Sequence, residues 1–486
     1  MSVNNQELKK AGLKAGMWNF STTIINQVRN FLISLILARL LEPSDFGLVA
    51  MATASINILE SFVDIGFGES IIQQKKVSQL QLSTVFYINL FLGFVISIII
   101  FFCAPFISDF FKIPETTDIL RVISLSFVIK GLQSLPSALL RKELNYSATF
   151  KINLISGFFS GILGIYLALT GYGVWSLIGS QIINWILGTI LIWTYAKWKP
   201  SIEFSISSIK ELWRFGSKLL ITTMIDGLFF NLNPILIGKF FKASELGLYN
   251  RAASLNTLVG RYSYSAFAGV LLPALSKCQD DIITFRNNII KIINVVCFTT
   301  SLLSGLMVCC SESLIIFLYG DKWLGAVEYF KILGFFTITG SLSNVMYYSL
   351  LSFHRSDLTL KIQIIEKILM VIAIVVGSIL GIFQYVWGLC IASSIGLFFY
   401  ASALKCVGLK LTDFIKYLLT YVIPFLTIVG IIYMFSLNKL TNISIINILI
   451  SCCCFLVPFC LYNFIFKTMG SESALRLIKT IKTLKK

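Results

Sequence analysis

Residues 37–73 read LARLLEPSDFGLVAMATASINILESFVDIGFGESIIQ, and the rest of the chain is organised around this stretch. It joins two membrane-length hydrophobic segments by a tight turn at residues 42–47. It also places two acids, Glu60 and Asp64, in a segment where lipid-facing residues are expected. Ionised groups are expensive in hydrocarbon, so these acids indicate that one face of the second segment does not meet lipid.

The same turn recurs 200 residues later without a gap. The residues Arg39, Ser44, Asp45, Gly47, Leu48 and Ala52 correspond to Lys239, Ser244, Glu245, Gly247, Leu248 and Ala252. Further upstream, Gly16, Thr22, Thr23 and Ile25 correspond to Gly216, Thr222, Thr223 and Ile225. The matched residues cluster at a helix start and a turn, where backbone geometry restricts the choice of residue. The sequence therefore predicts two homologous halves.

The composition predicts an all-α polytopic membrane protein. Of 486 residues, 56% are hydrophobic and 13% charged, and the mean hydropathy is +0.84. Such a chain is far more apolar than soluble proteins. Runs long enough to cross a hydrocarbon core of roughly 30 Å fall near residues 16–41, 46–66, 83–105, 119–140, 152–170, 173–196, 213–240, 247–276, 289–311, 324–350, 361–381, 384–405, 413–436 and 443–466. We therefore expect about fourteen transmembrane helices.

The repeat divides these helices into two parallel six-helix lobes, at residues 1–196 and 213–405. An even number of spans gives both lobes the same orientation, so an axis along the membrane normal is expected to relate them. The intervening residues 197–212 form a polar linker, and residues 413–466 supply two extra C-terminal helices. The basic tail 467–486 fits either an amphipathic helix on anionic lipid or a disordered segment.

Basic residues alternate between the two sides of the predicted membrane. One set of segments carries Lys9, Lys10, Lys14, Lys75, Lys76, Arg141, Lys142, Lys151, Lys197, Lys199, Lys210, Lys277, Arg286, Arg355, Lys361, Lys405 and Lys410, whereas the other carries only Lys112, Lys239, Lys242, Lys322 and Lys439. The positive-inside rule then places both termini in the cytoplasm. It also accounts for the net charge of +17 without a nucleic-acid partner. No cleavage site precedes the first span, so we expect that span to be retained.

Several classes of function are disfavoured by what the sequence lacks. No loop is long enough for a soluble catalytic domain, and no G-x-x-x-x-G-K-[ST] nucleotide-binding motif occurs. The eleven cysteines and single histidine have no paired metal-ligand spacing. We therefore expect neither enzymatic activity nor a cofactor or metal ion.

Polar side chains recur at helical spacing inside four of the predicted spans. The stripe on span 1 consists of Asn19, Thr22, Asn26 and Arg29, and the stripe on span 2 of Asn57, Glu60 and Asp64. Span 7 carries Thr222, Asp226 and Asn233, and span 8 carries Asn250, Ser254, Thr257 and Arg261, with Arg251 beside them. Pro234, which follows the span 7 stripe, is expected to break the helix locally.

We expect the four striped spans to line one hydrated central cavity. A charge at the bilayer centre costs at least about 2.5–3.5 kcal/mol, so several on repeat-equivalent helices indicate water rather than lipid. The alternative is that each charge belongs to an ion pair that fixes helix packing. Further intramembrane candidates are Lys130, Glu328, Lys331 and Glu366, of which Glu328 and Lys331 stand one helical turn apart.

At LARLLEPSDFGLVAMA, FVDIGFGESIIQ and LGLYNRAASL the sequence resembles the Wzx-type polysaccharide flippases of the multidrug/oligosaccharidyl-lipid/polysaccharide exporter superfamily. The resemblance implies a two-lobed fold in a bacterial inner membrane. It also implies translocation of an undecaprenyl-pyrophosphate-linked oligosaccharide for O-antigen, capsule or exopolysaccharide synthesis, with a polysaccharide polymerase and a chain-length regulator as further partners. A cationic cavity is then expected to bind substrate through Arg29, Asn26, Arg251, Arg261 and Lys130.

Two other functions remain open on the sequence alone. A cation-coupled multidrug or small-molecule antiporter on the same fold would use Glu60, Asp64 and Asp226 as ion-coupling groups, with the arginines as counter-charges. The net charge of the cavity distinguishes the two, because a cation exporter needs an acidic lumen. A lipid-linked glycosyltransferase or polymerase is disfavoured, because such chemistry usually needs a large outer loop.

The topology can be tested at Ser44, which the basic-residue pattern places on the periplasmic side. We expect Ser44→Cys, in a background without native cysteines, to react with an impermeant thiol reagent in cells permeabilised only at the outer membrane. Labelling only after lysis would invert the predicted topology.

Overall fold

The opening stretch folds as two helices joined by the predicted turn. The computed structural model describes residues 5–276, 281–437, 441 and 444–472. Helix α1 spans Asn5–Leu40 and α2 spans Pro43–Asp64. The turn starts α2 with a capping box, in which the Glu42 amide donates to the Asp45 carboxylate at 3.1 Å. Pro43, at the first helical position, lacks an amide hydrogen that would otherwise need a partner there.

The rest of the described chain is helical. The further helices are α3 Phe67–Gln73, α4 Gln79–Phe111, α5 Thr116–Lys142, α6 Tyr146–Leu169, α7 Val174–Ala196, α8 Lys210–Phe240, α9 Ala243–Ser276, α10 Ile282–Cys309, α11 Ser311–Tyr319, α12 Ala326–Ser352, α13 Ser356–Leu380, α14 Ile382–Ala403, α15 Leu411–Met434 and α16 Ser444–Ile465. Three short 3-10 helices lie at Ile206–Ile209, Asp321–Trp323 and Leu404–Val407. A helix pairs its own backbone N–H and C=O groups, which find no hydrogen-bond partner in hydrocarbon.

The all-α polytopic fold is confirmed. Every predicted span overlaps a long helix, and α3 and α11 are short additions. Among the described residues, ten helices are long and apolar enough to cross a membrane. The count of fourteen spans is therefore not confirmed and stays a prediction.

The predicted break at Pro234 is wrong. Helix α8 continues through this proline to Phe240. A proline removes one backbone donor, but neighbouring helices and small local adjustments can satisfy the freed carbonyl group. Pro105, Pro136, Pro424 and Pro458 likewise lie inside helices.

Two compact units make up the chain, Met1–Gly247 and Leu248–Lys486. Helix α8 belongs to the first unit because it packs on α2 and α3, so the boundary between the units lies after α8. The lobes predicted at residues 1–196 and 213–405 stay a prediction. In the first unit, buried apolar residues of α1, α2, α4, α5 and α7 form the main core, among them Leu37, Ile56, Ile100, Phe127 and Ile178.

The second unit has a larger core. It joins α10, α12, α14, α15 and α16 through buried residues such as Phe285, Leu342, Leu397, Phe425 and Phe455. Three aromatic rings stack in sequence within it, with Phe455 and Phe298 on either side of Phe459 at centroid distances of 5.3 and 5.9 Å. Each buried aromatic side chain removes a large apolar area and fixes the spacing of the helices that it touches.

The repeated glycines mark a close backbone crossing within the first unit. A Cβ atom on Gly47 would overlap the carbonyl oxygen of Ala243, and one on Gly247 would overlap that of Pro43. The first turns of α2 and α9 therefore pack closely against each other. Each glycine leaves room for the backbone carbonyl group of the other helix's first residue. This crossing explains why glycine recurs at both positions of the repeat.

Candidate functional site

Helices α2 and α5 face each other through an intramembrane ion pair. Glu60 and Lys130 lie 2.5 Å apart, between the carboxylate Oε2 and the ammonium Nζ. Both side chains are about one-third exposed, at 35% and 38%. Pairing compensates two charges that would each be costly alone in hydrocarbon.

One helical turn further along, Asp64 is held by a hydrogen-bond network. Its carboxylate accepts from the Ser134 hydroxyl, from the Asn89 amide at 3.3 Å and from the Gly68 backbone amide at 3.2 Å. Asn89 also donates to Ser134 at 3.2 Å. Residues four positions apart share one face of a helix, so the pair Glu60 and Lys130 and the pair Asp64 and Ser134 form two successive contacts between α2 and α5.

These two contacts bring together residues for which different roles were predicted. Glu60 and Asp64 were predicted to couple an ion, and Lys130 to bind substrate. The packing alternative, in which an ion pair joins two helices, describes the observed geometry of Glu60 and Lys130. The roles themselves stay predictions.

Arg29, near the middle of α1, contacts α6. Its guanidinium donates to the backbone carbonyl of Asn153, and to Asn30 Oδ1 at 2.9 and 3.3 Å. The group lies directly against Gly157, where a Cβ atom would overlap it. These bonds use three of the five N–H donors of an arginine, and no other described residue receives a bond from Arg29. Two donors therefore stay available for a ligand.

An apolar groove of about 410 Å³ opens beside Arg29 between α1 and α6. Its walls include Val28 and Leu32 of α1 and Phe158 and Ile162 of α6, each about half exposed. Among the described residues that line this groove, Arg29 carries the only charge. The Arg29 guanidinium thus borders an apolar groove that suits a hydrocarbon chain.

The structure describes some of the remaining predicted residues of the first unit. Asn57 of α2 donates its amide to Asn231 of α8 at 3.2 Å, and Asn231 is 5% exposed. Asn26 is half-buried on α1. The side chains of Asn19, Thr222 and Asp226 lie outside the described part of the structure.

In the second unit, Arg251 of α9 lies between aromatic rings. Its guanidinium carbon is 5.7 Å from the ring centroids of both Tyr319 and Trp323, and it hydrogen-bonds to the Tyr319 hydroxyl. Both aromatic residues are buried. Such cation–π packing stabilises a partly desolvated arginine. The side chain of Arg261, the third predicted arginine, lies outside the described residues.

Other polar candidates of the second unit also have local partners. Glu328 and Lys331 form the expected pair at 2.7 Å, with the Lys331 ammonium 5.3 Å from the Tyr433 ring centroid. On α9, Ser254 and Thr257 are exposed and bond to backbone carbonyls of their own helix. The half-buried Glu366 of α13 lies beside α14 at Gly396.

Sequence reasoning missed three residues that hold the charged groups in place, Asn89, Ser134 and Asn153. Each is a polar residue in a long apolar helix, which is the signal that could have found the first two. Asn89 is fully buried, at 0% exposure. Asn153 contributes only its backbone carbonyl, so no side-chain pattern could have indicated it.

The chain is similar to known proteins over most of its length. The family described as "Polysaccharide biosynthesis protein" matches residues 36–328. The lipopolysaccharide biosynthesis protein WzxC of Escherichia coli (strain K12) is 27% identical over 379 residues, which cover 76% of each chain.

Two solved structures share the fold at low identity. The inward closed conformation of the lipid II flippase MurJ aligns with a TM-score of 0.69 and 16% identity, over 93% of this chain and 99% of the other. An inward-facing multidrug resistance MATE transporter aligns with a TM-score of 0.60 and 13% identity, over 80% and 96%.

These findings define the class as multi-pass membrane proteins with the helical fold of the MurJ and MATE transporters. Within that class, the chain belongs to the polysaccharide biosynthesis protein family, because the family match covers more than half of it. The resemblance found in the motifs at residues 37–52, 62–73 and 246–255 is confirmed.

The Glu60 and Lys130 pair predicts a measurable coupling energy. Lys130→Met leaves Glu60 without its counter-charge, so it should lower the unfolding midpoint more than the double variant with Glu60→Gln. We expect a coupling of roughly 1–3 kcal/mol in a double-mutant cycle measured by unfolding in detergent.

A matched control exists at the end of α5, where Arg141 and Glu69 lie 2.6 Å apart and are more exposed, at 43% and 46%. Their cycle should give a coupling below about 1 kcal/mol, because solvent screens exposed pairs. Equal coupling at both pairs would contradict a special role for the intramembrane pair.

Proposed function

We propose that this protein is a flippase that moves an undecaprenyl-pyrophosphate-linked oligosaccharide from the cytoplasmic to the periplasmic leaflet of a bacterial inner membrane. Family membership supports a role in polysaccharide biosynthesis. The printed names of WzxC and MurJ, a lipopolysaccharide biosynthesis protein and a lipid II flippase, support a lipid-linked substrate of this chemical class.

The observation that carries this proposal is the combination of Arg29 with its apolar groove. A lipid-linked substrate has two unlike parts, a diphosphate head and a long hydrocarbon chain. The two available N–H donors of Arg29 match a phosphate oxygen pair, because guanidinium binds phosphate in a fork. The groove of about 410 Å³ beside it matches the first segment of a hydrocarbon chain.

In this mechanism the chain stays in the bilayer while the head crosses through a hydrated slot. Arginine donors replace the water that the phosphates lose, which removes most of the cost of transfer. Asn26, Lys130, Arg251 and Arg261 complete the proposed polar path. The lobes 1–196 and 213–405 alternate between inward and outward openings, with both termini in the cytoplasm.

The proposed protein is a transporter rather than an enzyme and works without a cofactor. The translocated lipid-linked oligosaccharide would be the substrate of a polysaccharide polymerase that acts with a chain-length regulator, and we propose both as functional partners. The alternative, a cation-coupled antiporter, has the MATE fold likeness in its favour. It is weaker because Lys130 already pairs with Glu60, one of the three acids that such a mechanism would use.

Replacement of Arg29 tests the proposed function. We expect Arg29→Ala to reduce export of surface polysaccharide at least about tenfold and to accumulate lipid-linked oligosaccharide on the cytoplasmic side, because a phosphate contact to arginine contributes roughly 1.5–3 kcal/mol. The measurement is surface polysaccharide and lipid-linked intermediate from cells with matched expression.

Arg121→Ala provides the control. Arg121 lies on α5 and pairs with Asp118 one turn away at 3.6 Å, and it does not line the groove. Its variant should export normally. Normal export by Arg29→Ala at wild-type expression would reject the proposed role of this arginine.

A further inference from the structure

A second cavity, of about 490 Å³, lies in the second unit and shares no residue with the candidate functional site. It is bordered by the start of α10, by the turn before α15 and by the first turns of α15. Arg286 and Lys291 enter from α10, and Asp413 and Tyr417 from α15. Leu409 and Met469 contribute apolar walls.

The charged side chains of this cavity have no hydrogen-bond or ion-pair partner among the described residues. No described hydrogen bond or ion pair engages the guanidinium of Arg286, and its Nε atom is buried from solvent. Lys291 and Asp413 are exposed, and no described side chain bonds to theirs. The buried Nε atom is out of reach of a ligand, but the terminal N–H groups of Arg286 are accessible and have no acceptor among the described residues, so they can donate to a ligand in the cavity. Two cations against one carboxylate make that ligand an anion.

The shape of the turn keeps the cavity open beside the arginine. Gly408 adopts a positive φ of 79°, which residues with a side chain rarely tolerate, and a Cβ atom there would lie 3.7 Å from the Arg286 Nη1 atom. The glycine thus lets the chain turn between the 3-10 helix Leu404–Val407 and α15 while leaving one face of the guanidinium uncovered.

The cavity lies at the predicted cytoplasmic boundary of the membrane. Arg286 precedes the predicted span 289–311 by less than one helical turn, and Asp413 stands at the start of the span 413–436. Met469 is 46% exposed and offers an apolar surface at the same level. Basic pockets between helices on the cytoplasmic side are suited to anionic lipid head groups.

We propose that this cavity binds the phosphodiester head group of an anionic phospholipid of the surrounding bilayer. Arg286 and Lys291 bind the phosphate, and the exposed Met469 contacts the start of an acyl chain. A soluble anion such as inorganic phosphate would gain nothing from the apolar walls, whereas a phospholipid presents charge and hydrocarbon together. This binding does not depend on the transport activity proposed above.

The proposal can be tested by titrating phosphatidylglycerol into the purified full-length protein in neutral detergent and counting bound lipids by native mass spectrometry. Arg286→Gln with Lys291→Gln should weaken phosphatidylglycerol binding roughly 10- to 30-fold, since each basic residue contributes about 1 kcal/mol near an anionic surface. Phosphatidylcholine binding should not change.

Lys416→Gln is the matched control, because Lys416 is exposed on α15 and does not line the cavity. It should bind phosphatidylglycerol as the wild type does. The unfolding midpoint of each variant, measured without lipid, shows whether the variant is folded. If the double variant does not fold, the single variant Lys291→Gln is tested instead. Unchanged phosphatidylglycerol binding in a folded cavity variant would overturn the proposal. Displacement of the lipid by inorganic phosphate or ATP at equal concentration would also overturn it, in favour of a soluble anion.

Discussion

The cost of placing ionised side chains in hydrocarbon is the constraint on which the rest of this structure depends. Each carboxylate and ammonium group within a span must be paired, hydrogen-bonded or hydrated. Glu60 and Asp64 meet this requirement through Lys130, Ser134 and Asn89, on two neighbouring helices. The same requirement fixes the rotation of α2 relative to α5, because a turn of either helix would leave a charge without its partner.

Arg29 meets the constraint only in part. Asn153 and Asn30 take three of its donors, and two stay available beside an apolar groove. A group that is held in place yet incompletely satisfied suits transient binding, because a ligand can complete its hydrogen bonds without a rearrangement of the helix. Arg251 differs, since the rings of Tyr319 and Trp323 cover its guanidinium. The two arginines, equivalent from sequence alone, therefore support unequal roles in the proposed transport.

Hydropathy was sufficient to predict the helices, because burial in lipid leaves few alternatives to a helix of about twenty residues. The proline rule failed at Pro234, where α8 continues through the proline and packs against α2. The repeated Gly47 and Gly247 were found as identities, but their mutual contact needed the fold. The cross-helix partners of Asp64 and Arg29 are Asn89, Ser134 and Asn153, which lie 25 or more positions away in the chain. These pairings could not be predicted, since spacing within one helix carries no information about the next.

The central claim is that the chain moves a lipid-linked oligosaccharide without altering it, and reconstitution tests this most directly. Purified protein is placed in proteoliposomes loaded with undecaprenyl-pyrophosphate oligosaccharide, and a potential or a pH gradient is imposed separately. A head with about two negative charges gains roughly 4–5 kcal/mol per 100 mV, so a favourable potential should speed its appearance in the opposite leaflet. The account predicts unmodified oligosaccharide exposed there in proteoliposomes containing the protein. Absence of any transfer, together with cation-driven export of a small organic cation by the same proteoliposomes, would contradict it.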